Sequence, residues 1–139
     1  MTAIPYLRAL CLAAAVICAA PGARAETPMT GAEFEARVTG RTLTFGLGGT
    51  AYGIEQYLAG RRVIWAFVDG PCRHGMWYED TPGRICFTYE HDPAPQCWQF
   101  FDDPSGLRAR FEGDSADQDL IEVDQSPAPL ICPGPDVGA

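Results

Sequence analysis

Six cysteines, two histidines and 18 acidic residues set against 10 arginines are the groups through which this 139-residue chain could do chemistry. Cys11 and Cys18 fall in an apolar N-terminal stretch, leaving Cys72, Cys86, Cys97 and Cys132 for the folded part. An even set of cysteines in an exported chain predicts disulfides rather than thiol chemistry. Metal ligation is the competing use. His74 stands two residues from Cys72, and His91 adjoins Asp92, but this spacing fits no zinc pattern and oxidised sulfur offers no thiolate. Both histidines read as solvated turn residues, and neither metal nor cofactor is expected.

The remaining polar groups yield no catalytic set. Asp114, Asp117 and Asp119 beside Glu112 and Gly113 offer hard oxygen ligands but lack the order of a calcium loop, so they read as a solvated loop. Asp102 to Gly106 reads as a turn, and so does Gly46-Leu47-Gly48-Gly49, because no lysine follows to complete a phosphate cradle. Ser105, Ser115 and Ser126 lie in turns or loops without a nucleophile elbow. Glu55, Glu79 and Glu90 could converge on one barrel mouth, and sugar hydrolysis needs two carboxylates. Acid pairs are common by chance in so acidic a chain. A non-enzymatic protein is the expectation.

A net charge of −8 disfavours nucleic acid, whose phosphates need a cationic face, and equally an anionic membrane surface. The first 25 residues read as a signal peptide: Arg8, an apolar run Ala9 to Ala20, a break at Pro21-Gly22, and Ala23-Arg24-Ala25 as the cleavage site. As a helix that run rises only about 18 Å against a hydrocarbon thickness of about 30 Å, too little for an anchor. Residues 26–139 are then expected as a single periplasmic or secreted domain without a stable membrane anchor.

The elements that must carry these groups follow from periodicity. Thr30 with Glu33 forms a capping box ahead of Phe34 and Val38, and Gly40 supplies the stop, so a helix of about two turns opens the domain. From Thr42 the period becomes two. Leu43 and Phe45 alternate with polar residues, Tyr52, Ile54 and Leu58 recur at even spacing, and Val63, Trp65 and Phe67 share a side. Strands are also expected at Gly75 to Glu79, Arg84 to Tyr89, Cys97 to Phe101, Leu107 to Phe111 and Leu120 to Val123. Pro127, Pro129, Pro133 and Pro135 keep the C-terminal segment extended.

The fold class is therefore mainly β: a small antiparallel meander of seven or eight short strands, closing into a barrel or half-barrel with a short N-terminal helix over one end. Trp65, Phe67, Trp77, Phe87, Trp98, Phe100 and Phe111 are its expected filling. Strand parity turns Cys86 and Cys97 away from the core, and folding the chain about His91-Asp92 sets them opposite one another. That leaves Cys72 for Cys132. Loop entropy assigns the short bridge about 3 kcal/mol and the long one about 4 kcal/mol.

Gly75-Met76-Trp77, Ile85-Cys86-Phe87 and Gln96-Cys97-Trp98 together form a G-x-W…C…C-W pattern. In it the chain resembles small secreted bacterial domains of unknown function. The resemblance extends to Thr39-Gly40-Arg41-Thr42, Tyr57, the Val63 to Gly70 strand and Leu130 to Pro135. It implies a lipocalin-like β-barrel and brings no catalytic residue with it. In lipocalins the G-x-W element lies close to the mature N-terminus, whereas Trp77 lies well inside this chain.

Two functions fit. One is a protein-binding or inhibitor-like accessory module of the cell envelope, its acidity suited to a basic partner, with Tyr52, Tyr57, Tyr78 and Phe101 as candidate contact residues. The alternative is carriage of a small apolar ligand in the barrel, with Trp65, Phe67, Trp77, Phe87 and Trp98 as lining or core.

Overall fold

The computed structural model describes residues 26–132. The expected leader, Pro133 and Pro135 lie outside them. Helix α1 (Gly31–Val38) is followed by strands β1 (Thr42–Leu47), β2 (Thr50–Tyr57), β3 (Arg62–Phe67), β4 (Arg73–Thr81), β5 (Arg84–Tyr89), β6 (Asp92–Asp103), β7 (Gly106–Phe111) and β8 (Leu120–Ser126). Every strand pairs antiparallel with its successor, and β8 pairs with β1. The meander closes. An eight-stranded closed sheet has no free edge and an interior just wide enough for side chains or one small ligand.

One end is shut by α1. The capping box forms, with the Thr30 amide donating to Glu33 Oε2 at 2.8 Å and the Glu33 amide donating to Thr30 Oγ1 at 3.3 Å. Glu79 reinforces the helix start: its Oε2 accepts from the Gly31 amide at 2.6 Å and from Gly83 at 3.0 Å, favourable for an acid at a helix N-terminus. Phe34 and Val38, one turn apart, then point into the barrel and are wholly buried. The Phe34 ring lies 4.2 Å from that of Phe100, 5.0 Å from Trp77 and 5.6 Å from Tyr57. This plug organises the closed half of the core.

The inward set is Leu43 and Phe45 of β1, Glu55 and Tyr57 of β2, Val63 of β3, Trp77 of β4, Ile85 and Phe87 of β5, Phe100 of β6, and Leu107 and Ala109 of β7. Three expectations need correction. On β2 the inward phase is Gly53, Glu55 and Tyr57 rather than Ile54 and Leu58, because β2 registers with β3 through Glu55–Trp65 and Tyr57–Val63. Phe67 (42% exposed) and Phe111 (36%), expected as filling, sit at strand ends on the open rim. Tyr57 and Phe101, expected on the surface, are 1% and 5% exposed. Tyr57 faces inward by that register; Phe101 faces outward but is covered by the guanidinium groups of Arg108 and Arg110, 4.5 and 5.4 Å from its ring.

The cystines are Cys86–Cys97 and Cys72–Cys132, the pairing that strand parity predicts. Cys86 stands opposite Cys97 in the β5–β6 register, on the outer face yet buried. After β8 the chain crosses the outside of the barrel: Thr42 Oγ1 donates to the Ala128 carbonyl at 2.7 Å, and the Leu130 amide donates to Gln56 Oε1 at 3.1 Å. The Cys132 bridge then ties this strap to the β3–β4 connection at the end opposite α1. No helix among the described residues is long and apolar enough to cross a membrane.

Replacing Phe34 with Ala is expected to lower the unfolding free energy by about 3–5 kcal/mol in denaturant titration. Ala at the half-exposed Met76 is expected to change it by no more than about 0.5 kcal/mol. A non-reducing peptide map should return only the two cystines above, and the double substitution Cys72→Ala, Cys132→Ala should cost up to about 4 kcal/mol.

Candidate functional site: the open end of the barrel

Opposite α1 the barrel is not filled. Here the strands end at the β1–β2 turn, the β3–β4 connection, the β5–β6 turn and the long β7–β8 connection. Between them lies a cavity of about 100 Å³. Tyr57, Phe87 and Phe100 form its floor, above the Phe34 plug; Phe45, Trp65, Tyr89 and Trp98 form the walls; Tyr52, Phe67, Arg73, Asp92 and Gln96 stand at the mouth. A dry apolar void of about 150 Å³ holds a benzene ring, so this smaller space encloses a branched alkyl group or part of one ring, with the rest of a ligand rising through the mouth.

Trp65 can form a wall because of Gly53. A Cβ added there would come within 2.3 Å of the indole Cζ2 and Cη2 and 3.0 Å of the Ala66 carbonyl oxygen. The absent side chain is the space the indole occupies. Tyr52 completes that side, its ring 6.2 Å from Trp65 and 5.5 Å from Phe67. Trp98 is backed by Phe111 at 5.0 Å.

One ionisable group sits deep in the cavity. Glu55 is 5% exposed, and its two oxygens accept separate phenol hydrogen bonds, Oε1 from Tyr89 at 2.7 Å and Oε2 from Tyr57 at 3.1 Å. Among the described residues no arginine pairs with it. Burial raises its pKa from 4.5 to about 7, against the opposing effect of the Tyr89 and Tyr57 hydrogen bonds. Burial, followed by the charge on Glu55, drives both phenols upward, so they remain donors.

Other acids are neutralised elsewhere. Asp119, read from sequence as part of a solvated loop, is buried and accepts from Arg108 Nη1 and from Arg110 Nε and Nη2, each at 2.7 Å. Burial alone would raise its pKa; the hydrogen bonds from Arg110 and Arg108 outweigh burial and hold it below the usual range. Glu122, inward-facing on β8, accepts from Arg37 at 2.6 Å and from the Leu107 amide at 2.8 Å. The three glutamates that might have converged do not: Glu79 caps α1 at the closed end and Glu90 is exposed.

Of the proposed lining residues, Trp65, Phe67, Phe87 and Trp98 border the cavity, while Trp77 lies beneath α1, 5.0 Å from the Phe34 ring and 4.6 Å from the Arg61 guanidinium. Of the proposed contact residues, Tyr52 stands at the mouth and Tyr78 on the outer wall opposite Cys86, so they form no common patch with buried Tyr57 and Phe101. Sequence reasoning missed the triad Tyr57, Glu55 and Tyr89 as a unit. Its signal was the alternation of Gly53, Glu55 and Tyr57, hidden because an inward acid reads as an outward one. Asp80 approaches the sulfurs of Cys86 and Cys97, but both are consumed in the disulfide.

No protein-family model, curated protein or solved structure matches the chain, so the chemistry of this cavity has to be read from its own residues. The folded Glu55 holds a proton that the unfolded chain has lost between pH 4.5 and about 7. Stability is therefore expected to fall as pH rises through that window and then to level off, with a total change on the order of 3 kcal/mol. Glu55→Gln should remove this slope in denaturant titrations at fixed pH steps.

Proposed function

We propose that this protein is an exported, non-catalytic binding barrel that holds a small, largely apolar ligand in the cavity opposite α1. The observation that carries the reading is the half-filled interior: a plug of aromatic residues at one end, and at the other an aromatic-walled space opening to solvent. Small-molecule sites are concave, mostly apolar and equipped with few convergent polar groups, and barrel mouths are a favoured place for them. Export is supported by two cystines and by the leader-like N-terminus. A lone acid held by two phenols, with no serine, cysteine or histidine among the described residues that line the cavity, supports a binding role over a catalytic one.

A second reading rests on the rim. Tyr52, Phe67 and Val68 are 39%, 42% and 46% exposed around the mouth, and an apolar rim on an acidic protein suits a basic protein partner whose side chain enters the cavity.

Native mass spectrometry of the protein recovered from its own envelope separates these readings. A retained small molecule is the expected result. A stoichiometric protein partner would favour the second reading, and an empty monomer would sink both. For the ligand reading, Gly53→Ala should displace the Trp65 indole and weaken the retained ligand by roughly tenfold in isothermal titration, a change of about 1.4 kcal/mol.

A further inference from the structure

The cavity combines an apolar enclosure with a carboxyl group that has no basic partner, and this says something about the ligand. We propose that the ligand carries a cationic amine, which enters first and docks against Glu55 between the aromatic walls. The inference rests on the small-ligand reading and names the chemistry of its deep end.

Each carboxylate oxygen has two lone pairs, and Tyr57 and Tyr89 each supply a single O–H, so half the accepting capacity of Glu55 is left for another donor. Those phenols satisfy hydrogen bonds but bring no positive charge. Elsewhere in this chain, acids withdrawn from solvent receive guanidinium groups, as Asp119 does from Arg108 and Arg110 and Glu122 does from Arg37. Glu55 is the exception among the described residues. The walls suit the same charge sign, because Trp65, Tyr89 and Trp98 line the cavity and an aromatic ring meets a cation favourably wherever the cation reaches its face. An ammonium seated there would meet both a carboxylate and aromatic faces, whereas a carboxylate ligand would meet Glu55 as a like charge. The excess of acid over base in the chain raises the local concentration of cations further.

The charged and titratable groups around Glu55 are few. Tyr57 shares its strand and Tyr89 faces it from β5; Arg73 from β4 and Asp92 from β6 stand at the mouth; Glu122 from β8 is occupied by Arg37. The Arg73 guanidinium lies 5.8 Å from the Phe67 ring centroid and makes no ion pair among the described residues. The mouth thus carries both signs, and only the deep end is purely acidic. With the empty-site carboxyl titrating at about 7, amine binding should release a proton near neutrality and strengthen as pH rises through that value.

Three probes of nearly equal size test this by isothermal titration at pH 8: phenethylamine, 2-phenylethanol and 3-phenylpropionate. The amine is expected to bind about tenfold tighter than the alcohol, and the anion weakest. Glu55→Gln should shrink the amine-to-alcohol ratio to within about twofold, and so should lowering the pH of the unmodified protein to 5.5, a comparison that needs no variant to fold. Titration near pH 7 in two buffers of different ionisation enthalpy should reveal proton release with the amine alone. Equal binding of amine and alcohol, unaffected by Glu55→Gln, would overturn the amine assignment while leaving apolar carriage standing. Tightest binding of the phenylpropionate, abolished by Arg73→Gln, would overturn it in favour of an anion held at the rim. Failure of all three probes, together with an empty protein from the envelope, would overturn both proposals.

Discussion

Closure of the sheet by the β1–β8 pairing is the constraint from which the rest follows. A meander of eight short strands left open would expose two unpaired edges; closing it satisfies them and fixes the interior diameter. That diameter admits one layer of large side chains. The short helix α1 reaches into one end only, and Phe34 with its ring of aromatic neighbours fills that half completely. The other half is lined by rings that stand against the wall, with Gly53 giving up its side chain so that Trp65 can lie close to the backbone. One end of the barrel is a core and the other a cavity, because a single plug enters a tube open at both ends.

The covalent bridges follow the same division. Cys86–Cys97 staples neighbouring strands within the wall, and Cys72–Cys132 anchors the C-terminal strap to the connection beside the mouth. The strap leaves β8 at the closed end and travels outside β1 and β2 to get there. It thereby fixes one loop of the open end, where no plug is available to hold the strands. Charge is arranged in a comparable way. Arginines from α1, β5 and β7 gather acids at the barrel exterior and the closed end, including Asp102, Asp103, Glu112 and Asp119. Phe101, under two of these guanidinium groups, shows how an outward aromatic can be covered without entering the core.

Much of the architecture was legible from periodicity. The Thr30–Glu33 capping box, the alternation through Leu43-Phe45 and Val63-Trp65-Phe67, and the turn residues around Gly48-Gly49 and Gly83 each specify a local element with a local cause. The Cys86–Cys97 pairing followed from parity together with a hairpin at His91-Asp92, since residues opposite one another on antiparallel strands share a face, and Cys72–Cys132 was the pair that remained. The site was far less legible. Glu55 and Tyr57 occupy inward positions that a hydrophobic pattern assigns to Ile54 and Leu58, and only the β2–β3 register reveals their true phase. Tyr89, which completes the triad, is 34 residues away in the chain.

The sequence by itself determined the N-terminal helix, the succession of short antiparallel strands and the disulfide pairing, while leaving barrel and half-barrel open, because helix caps, two-residue periodicity and hairpin parity are properties that neighbouring segments carry with them. Tertiary structure alone decided which half of the barrel is filled, which aromatic residues become rim or core, and that a carboxyl would be withdrawn from water without a cation. Those outcomes depend on where a closed tube brings distant strands together and on how far one helix reaches into it, distances that no local pattern encodes.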